Sequence, residues 1–196
     1  MLNHLLPRRR ALLAPALAAL LALASTPLLA AGAPQVKLST SAGDIVLELN
    51  PDKAPKTVEN FLQYVKDKHY DGTVFHRVID GFMIQGGGFT ADLQQKATRS
   101  PIALETSGGL TNDRGTIAMA RTGNPNSATA QFFINVVDNR MLNAPNPDGY
   151  GYAVFGKVVS GMEVVDKIKA VPTTTKGMNQ NVPVTPVTIL SATQIK

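Results

Sequence analysis

Between Phe75 and Thr90 the chain reads FHRVIDGFMIQGGGFT, and this stretch decides how the rest is read. Two short β-like runs, Thr73 to Val78 and Phe82 to Gln85, are separated by turn residues. Alternation along the first run sends Phe75 and Arg77 to one face. A cation that shares a face with aromatic rings is expensive unless that face is a partly open pocket. His76 reads as a packed structural residue. Gly86-Gly87-Gly88 reads as a tight turn, because neither a G-x-G-x-x-G nor a Walker spacing surrounds it.

Working outward, β-like runs recur at Thr116 to Ala120, Gln131 to Val136 and Ala153 to Val159, with Gly/Asn/Pro/Asp-rich loops between them. Toward the N-terminus, Val36 and Leu38, then Ile45, Leu47 and Leu49, alternate with polar residues around Ser41-Ala42-Gly43-Asp44, the pattern of a half-buried hairpin. Pro55 opens a segment with Val58, Phe61, Leu62 and Val65 at helical spacing. Ser160 and Glu163 form a capping-box pattern for a helix through Ile168, and Val187 to Gln194 reads as a closing strand. Many short strands with two helices predict a mainly β protein, a closed antiparallel barrel with helices over its openings. No internal repeat or linker divides the mature chain.

The first 33 residues read differently. Arg8, Arg9 and Arg10 precede the Leu/Ala-rich run Ala11 to Ala24, and the small residues Ala30, Ala31, Gly32 and Ala33 follow a polar break. These are the three parts of a cleavable signal peptide, cut between Ala30 and Ala33, followed by one domain over residues 34–196. Pro15 and Pro27 favour removal over an inner-membrane anchor, and the expected location is the periplasm. The net charge of +5 owes three of its cations to that segment; the remainder carries 16 cations against 14 acids, which points away from nucleic acid. With no cysteine, and only His69 and His76 outside the leader, no metal or thiol chemistry is expected.

The Phe75–Thr90 block, the Gly115 to Gly123 block, Ser127 to Asn135 and the run Tyr152 to Val158 together resemble the cyclophilins, in particular the periplasmic cyclophilins of Gram-negative bacteria. The resemblance extends from Val36 to Ile195. It implies an eight-stranded closed barrel capped by two α-helices, with a substrate groove on its outside, and peptidyl-prolyl cis-trans isomerase activity on exported proteins. Carried over residue by residue, it implies Arg77 as the catalytic cation and a proline pocket of Phe82, Met83, Phe133 and Leu142. Gln85 and Gln131 would flank the groove, Ala120 and the main chain of Arg121 would hold the residue before proline, and Tyr152 would stand where many members have histidine. Two departures are Met141, where eukaryotic members carry tryptophan, and Arg121, where asparagine is common. The second is expected to do little if only the main chain is used. The first predicts weak binding of cyclosporin. No bond is made or broken in isomerisation, so no cofactor is expected; the expected partners are proline-containing unfolded chains, and the expected state is a monomer. The alternative reading is a proline-peptide binding module or holdase chaperone in which catalysis is dispensable.

Overall fold

The computed structural model describes Met1 and residues 32–196. The chain divides into two units, residues 1–30 and 31–196. The expected leader falls almost wholly outside the described residues. Among those described, no helix is long and apolar enough to cross a membrane.

Strands β1 (Gln35–Thr40) and β2 (Gly43–Leu49) form the expected hairpin, with Val36, Leu38, Ile45, Leu47 and Leu49 buried on one face. Helix α1 (Pro55–Lys66) buries Val58, Phe61 and Val65. Its free N-terminal amides are met from a distance: Glu105 accepts from Lys56 N at 3.1 Å and from Thr57 N at 2.8 Å. Helix α2 (Met162–Lys169) starts differently from the sequence pattern. Ser160 ends strand β7 (Val154–Ser160), and the N-cap is Gly161 at φ 89° with no side-chain cap, so the capping box does not form. Gly161 is required there because a Cβ would lie 2.2 Å from the Asp44 carbonyl oxygen.

The remaining strands of the main sheet are β3 (Phe75–Ile79), β4 (Met83–Gly86), β5 (Thr116–Met119), β6 (Phe132–Asn135) and β10 (Ile189–Gln194). Eight strands pair antiparallel in the order β10-β1-β2-β7-β5-β6-β4-β3. The expected closed barrel is corrected to an open, half-barrel sheet. Its edges, β3 and β10, share no strand pairing; beside them lie the isolated bridge Val74↔Thr188 and three backbone hydrogen bonds, Phe75 N to Val187 O at 2.9 Å, Ile189 N to Thr73 O at 2.8 Å and Gly72 N to Ile189 O at 2.8 Å. Pro186, which has no N–H, precedes that bridge, and regular pairing is not carried on. A second, two-stranded sheet of β8 (Thr173–Lys176) and β9 (Asn179–Pro183) was not foreseen; its residues are largely exposed and carry no apolar alternation.

Both faces of the central strands are covered. Inside, Phe61, Phe75, Ile84, Ile117, Phe132, Ile134 and Phe155 belong to the main core. On the outer face Met83, Ala118, Phe133, Leu142 and Val154 form a separate small cluster, with Ile79, Phe82, Ala120 and Tyr152 against it. Consecutive residues such as Phe132 and Phe133 thus go to different cores, which is why these strands read as unbroken apolar runs.

Candidate active site

The outer cluster is organised by strand register. Arg77 pairs with Gln85, Gln85 with Phe133, Phe133 with Ala118, and Ala118 with Val154, so five strands contribute one row across the sheet. At a strand spacing of about 4.8 Å, the Arg77 and Phe133 backbones lie about 10 Å apart, with Gln85 between them. The long arginine side chain can cover that interval.

Arg77 reaches this row through an irregularity. The register of β3 against β4 shifts between Phe75 and Arg77, so that His76 is the extra residue of a β-bulge. Phe75 therefore stays in the inner core with no exposure, while Arg77 emerges half-buried on the outer face. The expectation that Phe75 and Arg77 share a face is corrected: the bulge changes the face within two residues.

A cavity of about 110 Å³ opens on this face, lined by Arg77, Phe82, Met83, Gln85, Ala120, Arg121, Phe133, Leu142 and Tyr152. That volume is below the roughly 300–1,000 Å³ of cavities that enclose small organic ligands, and suits one ring. A larger hollow of about 780 Å³ beside α1 and β10 gathers no aromatic ring. Two residues expected at the site are absent from this lining. Met141 is 61% exposed, whereas its neighbour Leu142, the last residue of a 3-10 turn (Arg140–Leu142), points inward and is buried. Gln131 instead accepts a bond from Gln85 Nε2 at 3.0 Å, and Arg77 Nη1 donates to Gln85 Oε1 at 3.4 Å. Gly88 leaves room for this amide, since a Cβ there would lie 2.5 Å from Gln131 Cγ.

Arg121 was expected to act chiefly through its main chain. Its guanidinium is in fact buried, with the side chain 1% exposed. Nε and Nη2 donate to Gly151 O at 3.0 and 2.7 Å, Nη1 to Thr122 O at 3.0 Å, and both terminal nitrogens meet the Asp148 carboxylate at 2.8 Å. The hydrogen bond from Arg121 holds the Asp148 carboxyl below its ordinary range. The guanidinium also lies over the Tyr152 ring at 4.4 Å, and Tyr152 meets Phe133 edge-on at 5.7 Å. One side chain thus fixes the loop and the aromatic wall together.

A buried asparagine network does the same from the other side, and nothing in the sequence pattern singled it out. Asn139 Nδ2 donates to Phe82 O at 2.7 Å and to Asn135 Oδ1 at 2.7 Å. Asn135 Nδ2 donates to Asn112 Oδ1 at 3.2 Å, and Asn112 Nδ2 reaches Leu142 O at 3.2 Å and Asn143 Oδ1 at 3.0 Å. The carbonyls before Met83 and after Leu142 are therefore tied through one chain of amides. Asparagines near loops are ordinary, and only burial distinguishes these.

His76 is 8% exposed and packs on Phe89 at 4.6 Å; burial, with help from the Arg77 charge, lowers its pKa to about 4. It is neutral at pH 7, as expected of a packed residue.

Residues 35–194 match the family described as cyclophilin-type peptidyl-prolyl cis-trans isomerase/CLD. A peptidyl-prolyl cis-trans isomerase of Streptomyces antibioticus is 64% identical over 159 residues, covering 80% of this chain and 96% of its own. Peptidyl-prolyl cis-trans isomerase B of Escherichia coli is 58% identical over 160 residues, covering 81% and 98%. A Cryptosporidium parvum cyclophilin, solved in the presence of the dipeptide Ala-Pro, superposes with a TM-score of 0.68 at 27% identity, covering 83% of this chain and 99% of its own. The chain belongs to the cyclophilin family and is a cyclophilin-type peptidyl-prolyl cis-trans isomerase.

Proposed function

We propose that the 110 Å³ cavity receives the proline ring, that Arg77 is the catalytic residue, and that the enzyme serves the folding of exported proteins. The observation that carries the site assignment is the register row, which sets Arg77 across from Phe133 with Gln85 as spacer. The barrier to X–Pro rotation, near ~20 kcal/mol, comes from amide resonance. Twisting the bond returns the lone pair to the prolyl nitrogen and creates an acceptor that the planar ground states lack. A guanidinium beside the ring donates to that acceptor only in the twisted state, so its binding energy goes into rate. One charge-assisted hydrogen bond supplies about 1.5–3 kcal/mol. A 10⁴-fold acceleration needs roughly 6 kcal/mol. The remainder falls to Phe133, Met83 and Leu142, which hold the ring while the preceding carbonyl swings against Ala120 and Gln85 in a poorly solvated groove.

Arg77→Ala is expected to lower kcat/KM about 10- to 150-fold on a short X–Pro peptide in a protease-coupled assay, with unchanged circular dichroism. Full activity in that variant removes Arg77 from the mechanism. Export rests on the N-terminal pattern: cleavage between Ala30 and Ala33 releases the domain into the periplasm. Intact mass of protein from the periplasmic fraction tests it, and full-length chain in the membrane fraction refutes it.

A further inference from the structure

Arg77 lines two cavities. The second, of about 400 Å³, lies on the other side of the guanidinium and is lined by His76, Phe89, Gln131 and the β8–β9 tip, Met178 to Asn181. The hairpin is brought there by β9 packing on β3. Its tip turns through Gly177 at φ 59°, Asn181 within β9 is left-handed at φ 58°, and Met178 is fully exposed.

We infer that this cavity is a subsite for a side chain of the substrate flanking the X–Pro pair, and that it prefers acceptor side chains, carboxylates above all. The inference rests on the reading of the Phe133 cavity as the proline site. An extended peptide advances about 3.3 Å per residue, so a residue one or two positions from the pair reaches the far side of Arg77. The lining contains one cation, three amide side chains of the hairpin (Asn179, Gln180 and Asn181) together with Gln131, and no acid. Donors on such a wall can be turned toward a carboxylate, while an ammonium would find the Arg77 charge and no counter-ion. The volume, several times that of the ring cavity, accommodates a Glu side chain with its solvation.

The test uses proline peptides that differ only at the position two before or one after proline, carrying Glu, Gln, Ala or Lys. At one of these positions kcat/KM for Glu is expected to exceed that for Lys about 3- to 10-fold, as for a partly screened charge-assisted bond. The Asn179→Ala/Gln180→Ala double variant should bring the ratio below twofold, and Gln180→Glu should turn it toward Lys. Ratios within one protein cancel any change in overall turnover. Amide shifts of Asn179 to Asn181 on adding the Glu or the Lys peptide are read without turnover, so they decide the point even if no peptide is isomerised, an outcome that would sink the proline-site reading instead. Equal shifts from both peptides, or a Glu/Lys ratio untouched by the hairpin substitutions, overturns the subsite.

Discussion

Arg121→Ala separates a main-chain role at this position from the side-chain latch. The arginine donates twice to Gly151 O and once to Thr122 O, and covers the Tyr152 ring. Gly151 is buried, so its carbonyl loses its donors without ready access to water, at a cost of about 1–3 kcal/mol. Thr122 is exposed and is resolvated. The ring contact contributes about 0.5–2 kcal/mol. The Asp148 carboxylate is partly solvated and screened, so its contact adds little. The expected loss is therefore about 1.5–5 kcal/mol, read as a lower urea midpoint with an unchanged slope. Because Tyr152 leans on Phe133, the same variant should raise KM for X–Pro peptides several-fold more than it lowers kcat. Lysine has one nitrogen for three acceptors, so Arg121→Lys should recover less than half of the lost stability. An alanine variant with the wild-type midpoint and KM refutes the latch and leaves the main chain as the only contribution of residue 121.

Acidification should weaken the fold through His76. The unfolded chain takes up a proton near pH 6.5 that the folded chain refuses until about pH 4, so stability is full above pH 6.5 and falls between those values, by about 3 kcal/mol. Burial lowers the His69 pKa in the same direction, so the check is His76→Gln, whose denaturant midpoint should fall visibly less than wild type between pH 7 and 4.5. Asn139→Ala strips donors from Phe82 O and Asn135 Oδ1 and should cost about 2–4 kcal/mol by urea unfolding, with a raised peptide KM; an unchanged KM would detach the network from the pocket. Met141 is exposed beside the ring cavity and has no N–H donor, so Met141→Trp should tighten cyclosporin inhibition by about one decade while changing turnover less; equal inhibition of both proteins sinks this.

Periodicity made the β1–β2 hairpin and α1 legible because each has one wet and one dry face. It failed where the chain has two dry faces: Phe132 and Phe133, or Met83 and Ile84, carry no local sign of which core each enters, and only pairing decides it. The bulge at His76 was invisible for the same reason, and it reversed the relation between Phe75 and Arg77. The β8–β9 hairpin was missed because Thr173 to Lys176 has no apolar face at all. The lining of the ring cavity was legible only through family resemblance, since Phe82, Met83 and Phe133 are by composition ordinary core residues. Resemblance underrated Arg121. A long side chain in place of a short one changed what the position does, by reaching a carbonyl 30 residues away.

The size of the ring cavity also bears on selectivity. If the hollow of about 110 Å³ takes the proline ring, as proposed, it leaves no room for neighbouring residues, and the chemistry proposed at Arg77 draws little on the surrounding sequence. Such indifference suits an enzyme that meets many unfolded chains. Discrimination among them must then come from contacts outside the ring, where substrate side chains differ. Arg77 stands between the ring cavity and the polar hollow under the hairpin, so whatever fills the second is felt by the group that acts in the first. An acidic flanking residue would draw on the same guanidinium that serves the twisted amide. Tight ground-state binding there raises affinity without raising kcat, because it is present before and during rotation alike. The preference for Glu over Lys should accordingly reside in KM, and a preference expressed in kcat alone would mean that the flanking charge repositions Arg77 and does not merely anchor the chain.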